Sequence, residues 1–152
     1  MTYTTAQGRQ QLLDSIAQAT DDLGAALAAL GEAYEHLDES SAETLERELF
    51  RPVQMAYGRA QRTHAGFASR AELPSRDFQP VSPGHPSQGV KGFLESAVDA
   101  VGRADGTLAT LQDSMLPIEV GDAELRAGLE EVRMLIGDIR ARARELVRRF
   151  GR

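Results

Sequence analysis

The residues of this chain that could do chemistry are few. Among 152 residues there are three histidines, His36, His64 and His85, and no cysteine. A metal held inside a helical bundle takes a Glu from each of two helices and a Glu-x-x-His from each of two others. Here Glu32 precedes His36 by four residues, Glu35 is adjacent to it, and no histidine follows His85. The spacing fails, so neither a metal nor a cofactor is expected. Without cysteine, thiolate ligation and disulfides drop out too. No serine, histidine and acid grouping and no nucleophile signature is visible, so catalysis is not the expected role.

Gly84-His85-Pro86-Ser87-Gln88-Gly89-Val90-Lys91 approaches a phosphate-binding loop. It has one residue too many before Lys91, Gly92 where Ser or Thr should follow, and no preceding strand. It reads as chance. His64 is more suggestive, because a seam shared with Tyr57, Ala60 and Phe67 points it inward. The plain reading of a lone inward histidine is a core residue bonded to a hydroxyl or carboxylate. The sharper one is a small-molecule pocket near His64 and Tyr57, or a pH-sensing role.

Arginine supplies sixteen of the seventeen basic residues, a bias that, with abundant Ala and Gly, resembles a GC-rich bacterial composition. Arg140, Arg144 and Arg148 repeat every four residues and form one row on a helix, with Arg142 and Arg149 on another face. Arginines in a last turn complement the negative end of the helix dipole. The alternative is a binding row for an anionic partner. Few aromatics and a net charge of −6 argue against nucleic acid. A membrane surface is disfavoured because the apolar face of that helix is needed for a core.

The elements that must carry these residues are helices. Leu13, Ile16, Thr20, Leu23, Leu27, Leu30, Tyr34 and Leu37 alternate three- and four-residue steps. So do Val90 to Met115 and Leu125 to Phe150, the periodicity of knobs-into-holes packing. The pattern predicts helices over about 5–37, 41–72, 87–116 and 122–150, with caps at Thr4, Ser40, Ser87 and Asp122 and a stop at Gly151. In the second, Leu49, Val53 and Tyr57 follow in successive four-residue steps across Pro52, which predicts a kink or short break near 48–52. Residues 117–121 read as a turn. Pro74, Pro80, Pro83 and Pro86 mark the long connector.

The expected fold is therefore all-α: a single domain over 1–152, an antiparallel up-down-up-down four-helix bundle with a Pro-rich connector between helices 2 and 3, folded over one end. In that order one end would collect residues 1–18, 57–96 and 138–152, with twelve basic and six acidic residues. The other end would hold five basic and seventeen acidic ones. Phosphotransfer bundles carry Lys-Gly three residues after their histidine; Lys91-Gly92 follow His85 by six, so no such likeness is drawn. Glycine stripes (Gly24, Ala28 and Gly31; Gly102 and Gly106) would suit close helix approach or a narrow slot.

Met1-Thr2-Tyr3-Thr4-Thr5 begins no secretory leader and no apolar run is long enough to span a bilayer, so a cytoplasmic protein is expected. The functional expectation is a non-catalytic helical bundle acting through protein–protein contact or self-association, as a dimer for example. Its partner would be an unidentified protein or a second copy. The alternative is a small-molecule-binding bundle.

Overall fold

The computed structural model describes residues 6–79 and 89–150. Among these, 86% are helical and none is in a strand. The elements are α1 (Ala6–Glu35), α2 (Glu39–Leu45), a π-helical segment (Glu46–Phe50), α3 (Arg51–Arg70), α4 (Gly89–Asp113), α5 (Leu116–Glu119), α6 (Ala123–Ile136) and α7 (Ile139–Phe150). They form four limbs: α1; α2 through α3; α4; and α6 with α7. Among the described residues no helix is long and apolar enough to cross a membrane.

In α1 the seam positions from Leu13 to Leu30 are buried, and Ala19, Ala26, Ala29 and Ala33 extend the buried face beyond the seam. Those alanines broaden it because α1 packs against two limbs at once, α3 and α4. Thr20 lies in this face with its hydroxyl donating to the Ile16 carbonyl at 2.7 Å, so its burial leaves no donor unpaired.

The helix ends depart from several expectations. Asp38, not Ser40, caps the second limb: its carboxylate accepts from the Ser41 amide at 2.7 Å, which also holds that carboxyl below its usual range. Asp122 caps α6 as expected, accepting from the Leu125 amide at 2.9 Å. Residues 116–119 form a short helix rather than a turn, entered through a left-handed Met115 with Pro117 in its first turn. The fourth limb is broken where it was expected to be continuous: α6 ends at Ile136, and the Gly137 amide tightens onto the Met134 carbonyl at 3.4 Å. Gly137 is the weakest helix former in that stretch. The expected features at Thr4, Ser87 and Gly151 lie outside the described residues.

The expected fault near Pro52 is the π segment. Proline has no N–H, so the Glu48 carbonyl, four residues back, loses its α-helical donor. The Arg142 guanidinium supplies one from the fourth limb, with Nη1 3.2 Å from that oxygen. The π turn absorbs the surplus residue that the successive four-residue steps introduce, and Leu45, Leu49 and Val53 all remain buried.

The order of the limbs differs from the up-down-up-down expectation. The His36 ring stacks on Phe93 with centroids 6.0 Å apart, and Arg103 meets Asp22 at 3.4 Å. The third limb therefore runs antiparallel to the first, starting beside the end of α1. Arg59–Glu131 at 2.5 Å and Arg70–Asp122 at 2.6 Å set the fourth limb antiparallel to the second. Arg133–Asp105 at 2.8 Å sets it antiparallel to the third. The second and third limbs thus run the same way on opposite corners, giving up-down-down-up, and the connection between them is a crossover. It has room to be one. The second limb stops at Arg70 and α4 starts at Gly89, so eighteen residues join them, and an extended chain of that length reaches ~60 Å. Residues 73–79 leave the end of α3 and run back along the groove between the first two limbs, as contacts to Asp21 and His64 show. Pro80, Pro83 and Pro86 lie outside the described residues.

This order removes the basic pole. The half made of residues 21–60, 89–104 and 133–150 holds eleven basic and thirteen acidic residues. The other described half holds five and ten. The arginine-rich α7 lies beside the acidic start of the second limb rather than at an end of its own.

Candidate functional site

Two places gather the residues singled out from the sequence. The first lies beneath the strap formed by residues 73–79. His64 is buried at 3% exposure, and the edge of its ring meets Phe78 of the strap at 5.1 Å and 86°. Arg76 lies over the Phe78 ring, its guanidinium carbon 4.3 Å from the centroid, and forms an ion pair with Asp21 of α1. Nearly two helical turns away, the Tyr57 ring fills the space left by Gly24, where a Cβ would stand 3.2 Å from its Cε1. Tyr57 Oη and His64 Nδ1 are both buried without a hydrogen-bond partner among the described residues. The inward orientation of His64 was legible in its seam; its covering, by an arginine and a phenylalanine from the connector, was not.

Burial pushes the His64 imidazole below its ordinary value, and the nearby Arg76 charge adds to this, against the opposing pull of Asp14 and Asp21. Burial also raises the Tyr57 hydroxyl, helped by Asp21 and opposed by Arg76. The histidine makes stability depend on pH. Unfolded, it takes up a proton near its ordinary ~6.5, whereas the folded chain binds that proton only at lower pH. Stability attributable to His64 should therefore hold above that value and fall as pH drops below it. Chemical denaturation between about pH 7.5 and 5.5 should show a steeper loss for the wild type than for H64L. Equal slopes would mean that the imidazole is not held neutral by its site.

The second place is the groove between α4 and α7. Arg140, Arg144 and Arg148 form one rim and Glu95 and Asp99 the other, over a floor of Leu94, Val98, Ala143 and Val147. Leu94 and Ala143 belong to the buried core, while Val98 and Val147 are half-buried against it. The groove encloses about 540 Å³. Arg148 pairs with Glu145 on its own helix. Arg140, Arg144, Glu95 and Asp99 make no ion pair among the described residues. Arg142 faces elsewhere, onto Glu48 and Asp138, and Arg149 lines the groove on that other side. The sequence spacing thus sorted the arginines correctly. The acidic rim is not legible in that spacing, because Glu95 and Asp99 come from α4, a different helix from the arginines.

The other candidates recede. His36 lies 3.5 Å from Glu32 and stacks on Phe93, and His85 lies outside the described residues. Among the described residues no three His, Asp or Glu side chains are placed to hold a metal ion. Of the glycine stripes, Gly24 receives Tyr57, while Gly31 and Gly106 face open space. Gly106 opens onto a groove of about 810 Å³ between α1 and α4, lined with Gln11, Ser15, Gln18 and Thr110 among others. No family model matches the chain, and no curated protein or solved structure is significantly similar to it.

Proposed function

We propose that this chain is a non-catalytic four-helix bundle, in up-down-down-up order, that works through protein–protein contact, self-association included. The observation that carries this reading is the α4–α7 groove, where Arg140 and Arg144, without an ion-pair partner among the described residues, face the equally unpartnered Glu95 and Asp99 across an apolar floor. An apolar centre inside a charged rim is the anatomy of an interface, with the floor supplying affinity and the rim supplying register. The test is a pull-down from the source organism with wild type and with R140Q/R144Q/R148Q. Capture should weaken as salt rises, because screening shortens to ~8 Å at physiological ionic strength, and should be lost in the triple variant. An unchanged set of captured proteins, the chain itself included, overturns the reading.

A second reading, small-molecule binding between the first two limbs, is favoured by the unpartnered Tyr57 Oη and His64 Nδ1. Leaving each buried polar atom unpaired costs ~1–3 kcal/mol. A small polar ligand admitted under the strap would recover part of that.

A further inference from the structure

Resting on the interface reading of the α4–α7 groove, we propose that its occupant is a second copy of this chain, seated face to face about a twofold axis parallel to the helices. The charge pattern selects both the partner and the axis. Two copies of one face can meet about an in-plane twofold either along the helices or across them. An axis across the helices lays α7 on α7 and sets Arg140, Arg144 and Arg148 of one copy near the same row of the other, which is repulsive. An axis along the helices lays α7 of one copy on α4 of the other and leaves every residue at its own height. Within one chain Glu95 and Asp99 share the groove with Arg144 and Arg140, and the antiparallel register set by the Arg133–Asp105 pair brings 95 and 99 within about one residue of the levels of 144 and 140. The parallel twofold therefore places Glu95 of the second copy opposite Arg144, and Asp99 of the second copy opposite Arg140.

Each of these pairs occurs twice, and none of the four residues makes an ion pair among the described residues of the single chain. The half-buried Val98 and Val147 from both copies meet between them. The face is self-complementary in the sense a twofold interface requires: one acidic edge, one basic edge, one apolar floor. Rim pairs of this kind fix orientation and exclude wrong partners more than they add affinity.

Charge swapping on the full chain tests this. Wild type should sediment as a dimer at low ionic strength and dissociate as salt rises. Arg140→Glu with Arg144→Glu makes both rims acidic, and Glu95→Arg with Asp99→Arg makes both basic. Each variant alone should be monomeric, and an equimolar mixture should recover a one-to-one dimer. These positions are exposed, and dichroism checks that both variants fold. Should a reversal not fold, R140Q/R144Q should still weaken the wild-type dimer by about tenfold, the effect of ~1.4 kcal/mol. A wild type that stays monomeric, a dimer indifferent to the reversals, or a mixture that stays monomeric overturns the proposal. The broader reading fails separately: a monomeric wild type whose partner capture is still lost in R140Q/R144Q/R148Q removes the second copy but keeps the interface.

Discussion

Replacing Phe93 by alanine should lower the stability of this protein by about 3–5 kcal/mol, the usual range for removing a buried aromatic ring. Phe93 has no exposed surface and is the largest of the fully buried side chains. It sits in the first turns of α4, where the crossover delivers the chain, and His36 stacks on it with planes only 9° apart. Its neighbours belong to rigid helices, so they cannot close on the space a ring leaves, and the cavity adds to the lost transfer energy. For a chain of this size, the loss corresponds to a melting point lower by roughly 6–20 °C. F93L keeps most of the volume and should lose much less. Thermal and urea denaturation of both variants check this, and an F93A protein within about 1 kcal/mol of wild type would mean that the start of α4 is not packed against α1 as described.

A single methyl group at Gly128 should cost about 1–3 kcal/mol, because overfilling a packed contact forces side chains or backbone to shift. A Cβ there would fall inside the Thr63 side chain, with Cγ2 at 2.9 Å and the hydroxyl oxygen closer still. Thr63 cannot swing away freely. Its hydroxyl donates to the Arg59 carbonyl at 2.8 Å and accepts from the Arg59 guanidinium at 3.1 Å, and Arg59 is itself paired with Glu131. Thr63→Ala removes the two colliding atoms and leaves a Cβ at 3.1 Å, which is tight but tolerable with a small adjustment. The double variant should therefore be little worse than T63A alone, a coupling that a double-mutant cycle by chemical denaturation reads directly. Additive losses would place the two limbs further apart than they are.

Much of this architecture was legible because it is local. The steps from Leu49 through Val53 to Tyr57, with Pro52 between them, announce a surplus residue and a missing donor, and both come together in the π segment. Asp122 caps α6 for reasons contained within four residues. The order of the limbs was not legible, because it hinges on where two helices end. The second limb stops at Arg70 rather than at 72, and each residue released from a helix adds ~3.3–3.6 Å of reach to a connector already close to the length of a limb. Everything built on that order was equally hidden. The basic pole followed from a sequential arrangement and disappears with it. The pairing of Asp21 with Arg76 and the seating of Phe78 on His64 join residues more than a dozen positions apart, through side chains whose local sequence carries no sign of a partner.

The up-down-down-up order also fixes where the two ends of the described chain emerge. Ala6 begins the first limb at one end and Phe150 closes the fourth at the other, about 45 Å apart along a thirty-residue helix. In a sequential bundle those ends would have been neighbours, and a short linker could have joined them to make a circular permutant. Here such a linker must run the full length of the molecule. Proteins fused to the two ends are instead held apart by a stiff strut. Two copies related by an axis along the helices would point both first ends one way and both last ends the other, which turns the strut into a polar spacer with a pair of attachment points at each end.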